Sequence, residues 1–254
     1  MSIQLIILAA VVISEIILGF TALIKNPKSK ANRSFAIMTW CMSIWGVSLY
    51  LFHQPNSNAL FWGKIVFAIT YLTGFSLLSF AVHFPASVDI LPKTAKLFLS
   101  FSKIYLPIVL ILCLISIFTP WIMTGVEFFD WGNNFTTGPL YPTFIFHMIF
   151  MAISSFAIMI AKYRKLIGIE KLQLKYLFLG LSIAGTATLF MNMIWPLLSG
   201  INNLSKYGPL SMILLIALTA YAITRYRLMD IRIILRRVFV HILVTVSFLT
   251  VILG

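Results

Sequence analysis

Apolar stretches of about 20 residues recur along the whole chain, and each is long enough to cross a hydrocarbon core of about 30 Å as a helix. Eight are legible, at about 3–24, 34–53, 60–84, 99–120, 141–162, 176–198, 208–225 and 237–254. No other feature constrains the fold as strongly. Backbone groups in lipid have no water to bond, so a spanning segment must satisfy them internally, as a helix or within a closed barrel. The alternating ten-residue pattern of barrel strands is missing, which leaves helices. With 61% of the 254 residues hydrophobic and only 10% charged, the chain carries more apolar surface than a water-soluble core can hide. The expected fold is an all-α polytopic membrane bundle of seven transmembrane helices, with an additional eighth apolar helix at the carboxyl end.

Orientation follows from the 19 Lys and Arg residues. All but Lys64 and Lys206 fall in or beside alternate connections: Lys25 to Arg33, Lys93 to Lys103, Lys162 to Lys175 and Arg225 to Arg237. Basic loops stay in the cytoplasm, so the amino terminus is expected outside. Trp62, Trp121, Tyr141, Trp195 and Tyr207 fall near the outer boundary of this map, and Tyr163, Tyr176 and Tyr226 near the inner one, as interfacial aromatic belts do. The net charge of +13 is therefore a topology signal, available also to anionic headgroups. Nucleic-acid binding is not expected, because the charges are divided among short loops without an interleaved aromatic platform. The first positive cluster follows the first span, which suits a helix inserted amino terminus outward and not a cleavable signal peptide. The chain ends at Gly254 within an apolar run, the kind of ending a partial product has.

The longest connection, about Trp121 to Leu140, lies outside and contains no Lys or Arg. Its Glu127, Asp130 and Trp131 are candidates for a lid over an external ligand; alternatively the loop simply folds over the bundle at headgroup level. Charged groups at the bilayer midplane cost about 2.5–3.5 kcal/mol to insert and usually face the bundle interior. Glu15 is the clear case, readable as a ligand, cation or proton site, or as a protonated carboxyl bonded to a neighbouring helix. Asn192 and His147 lie in the outer halves of the sixth and fifth spans and could share a polar cavity, or could serve as interhelical bonds. Asn192 stands one turn before Pro196, which is expected to end or kink the sixth span. Cys41 and Cys113 lie inside spans as small hydrophobes. No metal-ligand spacing, phosphate-cradling glycine loop, HExxH or catalytic triad is present, so neither metal, cofactor nor enzymatic activity is expected of this chain.

Four stretches carry a family resemblance: NRSFAIMTWCMSIWG entering the second span, IEKLQLKYLFLGLSIAG entering the sixth, MNMIWPLL with KYGPL before the seventh, and YAITRYRLMDIRIILRR at 221–237. In order and spacing they resemble the seven-transmembrane amino-terminal region of bacterial sensor histidine kinases. The resemblance covers about residues 3 to 237. It implies a sensory domain at 1–237 in the bacterial cytoplasmic (inner) membrane, followed by the apolar helix 238–254. It also implies a small or lipophilic ligand, or a membrane stimulus, and a cytoplasmic kinase or cyclase module in cis or trans, with a homodimer as the working assembly. Tyr226, Arg227 and Asp230 would then couple the seventh helix to output. The chain departs from a complete receptor in having no phosphoacceptor-histidine segment and no kinase ATP-binding boxes. The rival classes are a small transporter with Glu15 as its coupling site, and a membrane scaffold.

Overall fold

The computed structural model describes residues 3–54, 58–85 and 93–226. Four long helices come first: α1 (Ile3–Lys25), α2 (Lys30–His53), α3 (Ala59–His83) and α4 (Lys93–Phe118). An antiparallel hairpin follows, β1 (Met123–Phe129) and β2 (Gly132–Thr137). Then come α5 (Tyr141–Lys165) and α6 (Gly168–Leu189), a π-helical turn (Phe190–Ile194), the short α7 (Trp195–Ser199), a 3-10 segment (Ser205–Ser211) and α8 (Met212–Tyr226). Among the described residues, six helices are long and apolar enough to cross a membrane, the sixth running from Gly168 to Ser199. The protein is thus a polytopic helical membrane bundle. The expected segment 237–254 lies outside the described residues, as do Arg227 and Asp230.

The turns are built where their residue types require. Asn26 Oδ1 and the backbone carbonyl of Asn26 both accept from Ser29 N, and Ser29 Oγ caps α2 by accepting from Asn32 N at 3.3 Å. Asn32 Nδ2 reaches back to Ala22 O at 2.8 Å and satisfies a carbonyl in the last turn of α1. Between β1 and β2 the chain reverses through Asp130 and Trp131 and enters β2 at Gly132, whose φ of +134° is open to glycine and costly for other residues.

Helix α3 is central and packs against α2, α4 and α5, while α1 packs on α2. Helices α6 and α8 form a second tight pair, joined to the first group through α5, α1 and the 3-10 segment. Helix α4 is the most peripheral, with Phe101, Ile104, Ile111, Leu114 and Phe118 more than half exposed. Such a ridge is intolerable in water and ordinary against acyl chains, which are as apolar as the side chains themselves.

Two sequence expectations change in detail. The outer loop is a hydrogen-bonded hairpin, because β-branched and aromatic residues on both arms flank a glycine turn. The sixth span does not break at Pro196. The irregularity precedes it as the π turn, in which Trp195 N donates to Phe190 O, five residues back. Proline cannot donate to the carbonyl four residues before it and crowds that carbonyl, so widening the preceding turn relieves the conflict without ending the helix.

Candidate functional site

A cavity of about 110 Å³ opens in the half of the bundle nearer the hairpin, at the seam between the α1–α5 group and the α6–α8 pair. Trp45 and Phe52 of α2, Phe67 and Thr70 of α3 and Phe144 of α5 line one side. Thr188, Asn192 and Met193 line the other, with Met212 at the start of α8. Phe67 meets Phe144 edge-on with ring centroids 4.9 Å apart, so the apolar wall is itself well packed. The π turn supplies Asn192 and Met193, and such turns inside helices are common at functional sites.

The hairpin closes one end of the cavity. Phe135 of β2 lines the cavity, and the strand is stitched to the bundle by buried amides. Asn133 Nδ2 donates to Phe52 O at 2.6 Å and to Gln54 O at 3.2 Å, capping the end of α2. Asn134 Oδ1 accepts from Asn202 N at 3.1 Å. Lys206 Nζ donates to Trp131 O at 3.0 Å, which gives one of the two basic residues set apart from the other seventeen a structural partner. Ser205 Oγ donates to Asn202 O at 2.7 Å, so the 2.6 Å contact with His53 Nε2 has the imidazole as donor. His53 Nδ1 is then an acceptor and has no partner among the described residues; Gly132 packs against it so closely that a Cβ there would stand 2.9 Å away.

The candidates from sequence fall in different places. Asn192 lines the cavity, and its Nδ2 donates to Thr188 O at 3.0 Å. His147 is buried but is not among the lining residues: Nε2 donates to Tyr71 O at 3.1 Å, and Nδ1 accepts from Tyr105 Oη at 2.9 Å. It therefore pins α5 to α3 and α4. Glu15 lies at the α1–α2 interface, with Oε2 3.1 Å from Ser43 Oγ and Oε1 buried without a partner among the described residues. Glu127 and Asp130 are exposed on the hairpin, whereas Trp131 lines a polar recess with His53, Gln54 and Lys206. Tyr226 is the last described residue of α8.

Residues missed by sequence reasoning are Asn133, Asn134, Asn202 and Ser205, which together hold the hairpin and line or rim the cavity. Their only advance signal is turn-forming composition, which is common to many surface loops. A buried carboxyl oxygen without a partner is a cost that a hydrocarbon side chain does not incur. Glu15→Leu is accordingly expected to leave thermal unfolding in micelles unchanged or slightly raised. A drop of several degrees would show that the carboxyl makes a stabilising bond.

The fold and this cavity define a multi-pass membrane bundle with an internal site beneath the hairpin. The family model for the N-terminal 7TM region of histidine kinase matches residues 6–232, and the chain belongs to that family. Neither a curated protein nor a solved structure matches it. Family membership agrees with the resemblance carried by the four sequence stretches and makes the chain a membrane sensory region.

Proposed function

We propose that this chain is the stimulus-receiving part of a bacterial signalling protein, with residues 1–237 forming the sensor and 238–254 a further apolar helix. It sits in the cytoplasmic membrane with its amino terminus outside. A small or lipophilic ligand enters the outer cavity and favours one arrangement of α6 and α8 over another, because only differential binding can shift such an equilibrium. The continuation of α8 through Tyr226, Arg227 and Asp230 carries the bias to a kinase or cyclase module in cis or trans.

One observation carries this reading: the cavity lies on the seam where the π turn of α6 and the first residue of α8 face the α2–α3–α5 wall. A molecule seated there touches both moving parts at once. The hairpin, anchored through Asn133 and Asn134, acts as the lid, with Phe135 as its inner surface.

Filling the cavity tests the reading. In a receptor carrying its output module, Thr70→Phe places a ring where the ligand would lie. It is expected to cut stimulus-dependent output at least tenfold while leaving membrane insertion intact, measured by autophosphorylation or a transcriptional reporter. Unaltered stimulated output would remove the cavity from the mechanism. The same receptor with Arg227→Ala and Asp230→Ala tests coupling, since basal and stimulated output should both change.

A further inference from the structure

The polar atoms of the cavity can be followed one by one. Thr70 Oγ1 donates to Val66 O at 2.6 Å, Thr73 Oγ1 to Ile69 O at 2.8 Å and Ser205 Oγ to Asn202 O at 2.7 Å. Thr188 Oγ1 shares a 2.7 Å hydrogen bond with Ser211 Oγ, and Asn192 Nδ2 donates to Thr188 O. The hydroxyl protons of Thr70, Thr73 and Ser205 are thus committed to backbone carbonyls. Asn202 differs. It is 1% exposed and lines the cavity, and its buried Oδ1 has no hydrogen-bond partner among the described residues. Its backbone, in contrast, is fully used, the N–H by Asn134 and the carbonyl by Ser205. A buried amide carbonyl left open is rare enough in folded proteins to call for an explanation, and a ligand group is one.

The rest of the lining restricts that ligand. Among the described residues no Lys, Arg, His, Asp or Glu lines the cavity, so a charged molecule would lose its hydration without a counter-charge. Its volume of about 110 Å³ is of the same order as the roughly 150 Å³ of an apolar cavity known to admit benzene, which suits an occupant built on one small ring. Phe67, Phe144 and Met148 offer aromatic and thioether surface to such a body.

We propose that the cavity takes a small neutral molecule with a ring-sized apolar body and one hydroxyl or amide N–H, which donates to Asn202 Oδ1. This rests on the cavity being the ligand site. The head of the ligand lies beneath the hairpin, where Asn202 also bonds Asn134, so occupancy is felt by the lid and by the 3-10 segment leading into α8.

The test is ¹⁹F NMR of the full chain in lipid nanodiscs with three single-ring probes, 4-fluorophenol and 4-fluorotoluene, which match in size, and the charged 4-fluorobenzoate. Nanodiscs holding the cavity-filled Thr70→Phe protein report partitioning into lipid. The phenol is expected to bind about tenfold more tightly than the toluene, the worth of one hydrogen bond to a buried unpaired acceptor. The benzoate is expected to bind no better than to the filled protein. Asn202→Leu should erase the preference for the phenol while keeping the toluene bound, and Asn202→Ala supplies the same comparison if the leucine variant does not fold. Equal binding of phenol and toluene, or preference for benzoate, would overturn the proposed chemistry and leave the cavity as a ligand site. No difference between wild type and Thr70→Phe for any probe would mean a cavity that takes water alone, and would overturn both.

Discussion

Lys162→Ala is expected to destabilise the bundle by about 2–4 kcal/mol, the largest loss from any single side chain discussed for this protein. Lys162 lies in the last turn of α5 and is only 2% exposed. Its Nζ donates to Val82 O at 2.7 Å and to Phe84 O at 2.8 Å. Both carbonyls belong to the end of α3, where the last turn has no intrahelical donors, and Pro85 can supply none because it lacks an N–H. Removing the amine leaves two buried acceptors open, each at about 1–3 kcal/mol, partly offset because an amine no longer has to be held away from water. Lys162→Met separates the bonds from the packing, since it keeps the stem and loses the donors. Reversible unfolding in micelles should show most of the loss with either variant. Wild-type stability in Lys162→Met would mean that packing of the stem, and not the two hydrogen bonds, holds α3 to α5.

Gly180→Leu is expected to force α6 and α8 apart, to cost about 1–3 kcal/mol and to lock output in one state. A Cβ on Gly180 would lie 3.3 Å from Leu215 Cα and 3.3 Å from Leu218 Cβ, so α6 approaches the backbone of α8 itself at this point. The backbone of α8 cannot move aside as a flexible side chain would. Small residues at such crossings let dispersion contacts, the main cohesive force between helices in lipid, reach their full strength. In a receptor with its output module, the leucine variant should lose the difference between stimulated and unstimulated signal, while Gly180→Ala retains most of it. A normal stimulus response in Gly180→Leu would show that α6 and α8 need not move against each other for the signal to pass.

Lys162 also shows what a sequence can and cannot convey. By position it is one more cation near a cytoplasmic loop, and the topology argument counts it that way. Its partners are 80 and 78 residues distant in the chain, so nothing in the local pattern marks it as the tie between α3 and α5. Asn192 was legible as a buried polar residue on an apolar helix, a costly placement that asks for a reason. Asn202 was not, because an asparagine among Ser, Gly and Asn reads as a turn until the hairpin is seen to fold over it. His147 was legible as buried, yet only its two bonds, to Tyr71 O and Tyr105 Oη, reveal that it braces helices and stands apart from the cavity.

The hydrophobic spans and the family pattern were properties of the sequence alone, because a bilayer imposes length and helicity on each segment independently of its neighbours. Where the cavity lies, which amide faces it unpaired, and how the hairpin closes it were decided only in three dimensions. These depend on side chains from α2, α3, α5, α6 and β2 converging at one level of the bundle, and lipid is equally content with any rotation of an apolar helix until packing and interhelical hydrogen bonds select one.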